Sequence, residues 1–172
     1  MAYYYVTKPR ENGWGWEPVE NIPLSVRQVV SSIYQMKRNI LHALEGLTDE
    51  QVWIRIGPDV SAIGNLLLHL RGTEHHWIGH KIGGRPLERE IAKEFATRGG
   101  ILLDELAAKL RNVSSETEEV LTELTETEVT EYRSEDGFSI PFMLHYVNQH
   151  FALHLGQIVV VREYLSPGYR LY

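Results

Sequence analysis

The sequence contains no cysteine. Disulfides, thiolate zinc sites and a thiol nucleophile carried by the chain itself are therefore all excluded. It also lacks long hydrophobic runs: stretches such as "IVVV" at 158–161 fall far short of the roughly 20 residues that span a bilayer. Positive charge is scarce and scattered, with 17 Lys and Arg against 23 Asp and Glu and a net charge of −6. A nucleic-acid surface needs a basic face to neutralise phosphates, and none is visible. The first twenty residues, "MAYYYVTKPRENGWGWEPVE", have neither a basic-then-apolar leader nor a small-residue cleavage site. No internal repeat and no low-complexity segment is present. These absences lead to the expectation of a cytoplasmic protein with neither membrane nor nucleic-acid partners. Its 172 residues are read as a single domain, 1–172, large enough to bury a core without staples.

Four long segments carry apolar residues at helical spacing. The first runs from about Pro23 to Leu44, with Val26, Val29, Ile33, Met36, Ile40 and Leu44 in one stripe and Pro23 suited to the first turn. After a Gly-Pro break, Asp59 or Ser61 is expected to cap a second helix reaching about Ile82, where two glycines stop it. Its stripe reads Ala62, Leu66, His69, Thr73 and His76. The polar connection from Gly83 to Gly100 is long enough for a crossover between the second and third helices. The third helix covers about Ile101 to Leu124. A linker follows, with strand propensity at "EVTEYR" and a turn at "EDG". The fourth helix starts near Ser139 and Pro141 and ends at about Leu165, its inward stripe being Met143, Val147, His150, His154, Gln157, Val161 and Tyr164. Steps of four and three residues make a bundle seam. The fold predicted is all-α, a single four-helix bundle. Residues 1–21 form a Tyr- and Trp-rich N-terminal tail, expected to pack on the bundle or on a partner.

His150 and His154 sit one above the other on the same helix face. Two imidazoles at that spacing supply adjacent corners of a metal's coordination shell, and a third ligand must come from a facing helix. The second helix offers His69, His75, His76 and His80. Only His69 and His76 fall on the apolar stripe. His69 lies in the most apolar stretch, "NLLLHLRG", where an unpaired imidazole is costly, so it is the preferred third ligand, with His76 as the fallback. The competing reading is a set of core histidines satisfied by backbone or neighbours; stacked rings without a metal, however, repel when protonated and lack partners when neutral. Gln157, Asn148, Gln149, Glu74 and Thr73 are candidates to orient the second ring nitrogens. His42, His75 and His145 are assigned to the surface or to supporting positions, Glu116 to Glu123 to a solvated helix face, and Arg71 and Arg162 to surface pairing or to attraction of an anionic substrate.

The second-helix stretch "AIGNLLLHLRGTEHHWIGHKIGG" and the fourth-helix stretch "HYVNQHFALHLGQIVVVREYL" resemble the DinB-like (YfiT-like) superfamily of bacterial four-helix-bundle proteins. The resemblance spans roughly residues 23–165. It rests on His69, Glu74 and Trp77 in one helix and on His150, His154, Gly156 and Gln157 in the other. It implies His69, His150 and His154 as three ligands of a divalent metal, zinc or nickel, with an open coordination position. It implies a crossover between helices two and three, and a homodimer. Some relatives transfer low-molecular-weight thiols such as bacillithiol or mycothiol, so the resemblance implies thiol S-transferase chemistry on a small-molecule substrate. A metal-dependent hydrolase is the nearest competitor, and a non-catalytic metal-binding, stress-associated dimer is the reading of a different class.

Overall fold

A computed structural model describes residues 21–171, together with the backbone of 7–9 and 16–18. Those two short segments are antiparallel strands, β1 (Thr7–Pro9) and β2 (Trp16–Pro18), with Thr7 opposite Pro18. They add a small ribbon to an otherwise helical chain. The expected packing of Tyr3 to Tyr5, Trp14 and Trp16 concerns side chains outside the described residues.

Four long helices make the bundle: α1 (Leu24–Leu44), α2 (Ile63–Glu74), α4 (Leu103–Thr122) and α6 (Ile140–Leu165); two short ones, α3 (Ile91–Ala96) and α5 (Glu126–Glu131), lie in the connections. α1 packs chiefly on α6, and α2 packs on both α4 and α6. Cross-helix contacts give the directions. Near the start of α2, Asn65 donates to the Glu94 and Thr97 carbonyls, just before α4 begins. Farther along, Glu74 meets Thr117, and a Cβ added at Gly83 would meet Val120. α2 and α4 therefore run the same way, and the chain must return along the bundle between them. That is the crossover read from the length of the 83–100 connection. α6 runs opposite to α2, since Tyr146 lies against Trp77 while His150 reaches His69.

The helix starts follow local chemistry. Ser139 caps α6 by accepting from the Phe142 N–H, and Pro141 occupies the first turn. α2 departs from expectation at both ends. Neither Asp59 nor Ser61 caps it; the cap residue is Ala62, whose N–H donates to Asn65 Oδ1 at 3.3 Å. The α-helical bonding stops at Glu74, and a π-helical turn, His75–His80, takes over instead of α-helix to Ile82. Its wider hydrogen bonds, Lys81 N–H to His76 O and Gly83 N–H to Ile78 O, accommodate one extra residue per turn. The strand propensity of "EVTEYR" is overridden. Thr125 and Glu128 exchange capping bonds in a T-x-x-E box, and the segment starts helix α5. The "EDG" turn forms as expected, with Gly137 at φ 82°.

The core is contiguous, with Ile33, Leu67, Leu110, Met143 and Phe151 among its fully enclosed members. Within it sits a buried ionic cluster that the periodicity hides. Lys37 of α1 donates to Glu74 Oε1 and to Ser114 Oγ, and Thr117 also donates to Glu74 Oε1. Glu74 Oε2 is buried without a partner.

Candidate metal centre

α2 and α6 pack on each other, with Leu66 and Leu70 of one and Phe151 and Ile158 of the other buried in the same core. That packing brings one histidine of α2 against two of α6. His69 Nε2 lies 2.8 Å from His150 Nε2, which in turn lies 3.1 Å from His154 Nε2. One ring nitrogen from each of the three falls within 4.8 Å of the others, so the group can hold a metal ion. It is the one group of this kind among the described residues.

The outer nitrogens decide what the inner ones carry. His69 Nδ1 is 2.8 Å from Glu94 Oε2. Burial pushes the Glu94 carboxyl up, but hydrogen bonds from His69 and Arg89 outweigh it and leave the group below its usual range. The acceptor is therefore an anion, which places a proton on Nδ1 and a bare lone pair on His69 Nε2. His154 Nδ1 is 2.6 Å from Gln157 Oε1. With the amide oxygen accepting, His154 Nε2 is bare as well. His150 can then supply at most one proton to two inward lone pairs, so one is left facing its neighbours without a hydrogen. Protonating the group is resisted: burial, then the neighbouring His154, His69 and Arg89, push His150 down to about 4. Burial likewise depresses His154, against a raising hydrogen bond from Gln157.

A divalent cation bound to the bare nitrogens would resolve this shortage of hydrogens. Three neutral imidazoles suit zinc or nickel. The 2.8 and 3.1 Å separations are close to the roughly 3.3 Å edge of a tetrahedron with ~2.05 Å metal–nitrogen bonds. The donor set, the tautomers and the spacing fit a metal.

The supporting residues come mostly from the connection that the sequence left without assignment. Arg89 grips Glu94 with Nε at 2.7 Å and Nη2 at 3.0 Å, and Nη2 also reaches Thr73 Oγ1 and the His69 carbonyl. These groups pass directly over Gly72; a Cβ there would strike Glu94 Oε1 and the Arg89 guanidinium. The glycine in "HLRGT" was the available signal, though nothing in sequence named what crosses it. Phe95 packs on His69 and Tyr146 stacks on His150, with ring centroids 4.7 and 5.6 Å apart.

Of the residues proposed to orient the rings, Gln157 does so directly and Thr73 acts through Arg89. Glu74 faces the Lys37 cluster instead; Asn148 Oδ1 is buried without a partner; Gln149 is exposed. His76, the fallback ligand, lies outside the group, beside Trp77 and His80. His75 is bonded to Glu116 and to the Pro86 carbonyl, and Arg85 donates to Glu119, so acidic residues of the expected solvated face are engaged. Arg162 is buried away from the site, bonded to the Glu45 carbonyl and packed on Tyr169. Gln157 and Tyr164, expected to face inward, are exposed. A cavity of about 790 Å³ between α2, α3 and α4 is lined by Arg71, Arg89, Lys93, Glu94 and Lys109 but by none of the three histidines. It lies behind the Arg89–Glu94 pair rather than over the clustered ring nitrogens.

No helix among the described residues is long and apolar enough to cross a membrane. The family model described as mycothiol-S-transferase matches residues 28–167. No curated protein matches the chain. Among solved structures, a conserved protein from Enterococcus faecalis is similar in fold, with a TM-score of 0.63 and 15% identity over 84% of this chain and 98% of that one.

Proposed function

The chain belongs to the mycothiol S-transferase family, and from that membership we propose that it is a metal-dependent enzyme joining a low-molecular-weight thiol to a small electrophile, with His69, His150 and His154 as the metal ligands. The observation that carries this reading is the convergence of three imidazole nitrogens whose outer partners, Glu94 and Gln157, leave too few protons for the inner face. A divalent ion held there, zinc or nickel, lowers the pKa of a bound thiol and acts as a Lewis acid.

The chain's own residues supply position and environment. Glu94 and Gln157 fix the rings and their tautomers. Arg89 keeps Glu94 ionised and in place. Phe95 and Tyr146 wall the rings and limit water around them. The absence of cysteine fits this assignment, because the sulfur then arrives with the cosubstrate. In the transfer the thiol proton passes to solvent, sulfur bonds to the electrophilic carbon, and the leaving group departs with its bonding electrons. Mycothiol, which names the family, and bacillithiol are the thiols to try first.

The test has two arms. Elemental analysis of the purified protein is expected to give about one zinc or nickel per chain, falling below a tenth in His69→Ala. Incubation of the loaded protein with mycothiol or bacillithiol and a haloaromatic electrophile is expected to consume the thiol and release halide. Unchanged metal content in the variant ends the ligand assignment. Metal without thiol consumption ends the transferase and leaves a hydrolase.

A further inference from the structure

The cavity behind the Arg89–Glu94 pair holds more positive charge than its own carboxylates engage. Leu68 of α2 and Val113 of α4 give it apolar walls, and residues 88–97 of the connection border it on another side. Three of the four carboxylates that line it already have cationic or imidazole partners. Glu94 is held by Arg89 and His69, Glu90 by Lys93, and Glu116 by His75. Glu88 has no partner among the described residues, and it is exposed.

The cations are less fully satisfied. Arg71 on α2 and Lys109 on α4 both line the cavity, and neither has a partner among the described residues, so the surface pairing expected of Arg71 does not form there. Arg89 is the third cation. Its side chain is only 10% exposed. Nε and Nη2 bond to Glu94, Thr73 and the His69 carbonyl, while Nη1 bonds to nothing among the described residues. A nearly enclosed guanidinium thus keeps one donor nitrogen open. The chain has 17 Lys and Arg against 23 Asp and Glu, so carboxylates are plentiful. Three cationic groups short of acceptors in one concavity, where field lines focus, point to a negative ligand.

We propose that this cavity binds a small organic dicarboxylate, held by Arg71, Lys109 and the open edge of Arg89. Guanidinium edges match carboxylate oxygens in planar, charge-assisted pairs. Donors from three separate segments call for negative charge at more than one point, which a single oxyanion does not offer. About 790 Å³ is the size of a pocket for an organic molecule, and the apolar walls suit a carbon chain between two carboxylates. None of the three clustered histidines lines the cavity, so the ligand is an effector and not the molecule that reacts. Arg89 joins the two places, since its other edge holds the Glu94 carboxylate that accepts from His69. The site stands or falls separately from thiol transfer.

Titration of the full chain with glutarate at low salt is expected to show one site per chain, at least about tenfold tighter than acetate or inorganic phosphate. Arg71→Gln and Lys109→Gln are each expected to weaken glutarate about tenfold, and together about a hundredfold. Arg170→Gln, an exposed arginine tied to Glu163 outside the cavity, is expected to change nothing. Metal content stays at the wild-type value in both cavity variants, because neither side chain bonds to the histidines or to Glu94. If Arg71→Gln fails to fold, Lys109→Gln carries the test, since Lys109 is exposed. No glutarate binding up to about 10 mM, equal affinity for acetate or phosphate, or cavity variants that bind glutarate as tightly as wild type overturns the proposal.

Discussion

Replacing Glu94 by Ala isolates the contribution of the α3 connection to the metal centre. Loss of an outer hydrogen-bond partner from a histidine ligand ordinarily costs 10–100-fold in metal affinity, or about 1.4–2.8 kcal/mol. Here the loss is expected at the upper end, because Arg89 stays behind. Its Nη2 lies 3.2 Å from His69 Nδ1, held off the ring nitrogen's lone-pair role only because the Glu94 carboxylate claims the Nδ1 proton at 2.8 Å. Without the carboxylate, the guanidinium donates to Nδ1, the ring proton moves to Nε2, and the nitrogen that faces the metal is blocked. Glu94→Ala is thus expected to weaken zinc about a hundredfold. Adding Arg89→Ala removes the competing donor and is expected to restore affinity to within about tenfold of wild type, so the double variant binds better than the single. Competition against a chromophoric zinc chelator at fixed pH measures both. A single variant within threefold of wild type, or a double variant weaker than the single, refutes the tautomer reasoning.

The buried ion pair and the histidine rings make two further predictions. Lys37→Met strands the Glu74 carboxylate in the core with Thr117 as its remaining partner. Breaking such a pair costs about 3–5 kcal/mol, a fall in Tm of roughly 6–20 °C for a chain of this size. Lys37→Met with Glu74→Leu is expected to recover most of it, and urea unfolding showing less than ~1 kcal/mol for the single change would argue against a charged pair. For the metal-free protein, His150 titrates at about 4 when folded against about 6.5 when unfolded, and His154 is depressed in the same direction. The unfolded chain therefore binds more protons between these values. Stability is full above about pH 6.5, declines as pH falls toward 4, and changes no further through this group below it. Urea midpoints in EDTA should follow that course, and His150→Gln should flatten it; an unchanged slope would show that the ring is not the titrating group.

What the sequence determined by itself is the set of elements with a strong period and the residues that share a face. The stripes of α1, α4 and α6 specified three helices to within two residues, because burial of one side of a helix writes itself into the order of apolar residues. His150 and His154 were legible as a pair for the same reason: helical geometry fixes i and i+4 without help from the rest of the chain. The T-x-x-E box of α5 was also written in the sequence, and strand propensity obscured it, since propensity is a weak prior beside a satisfied cap. Tertiary structure alone decided the rest. The apolar stretch around His69 already favoured it over His76, but the meeting itself, His69 Nε2 against His150 Nε2, depends on how α2 lies against α6. That Glu94 and Arg89 complete the centre depends on a connection without periodicity folding back over Gly72. That Glu74 serves the core and not the histidine cluster depends on Lys37, thirty-seven positions earlier, reaching it from another helix. Periodicity reports which face of a helix avoids water; it carries no information on which groups from distant segments meet there, because those contacts are set by packing in three dimensions.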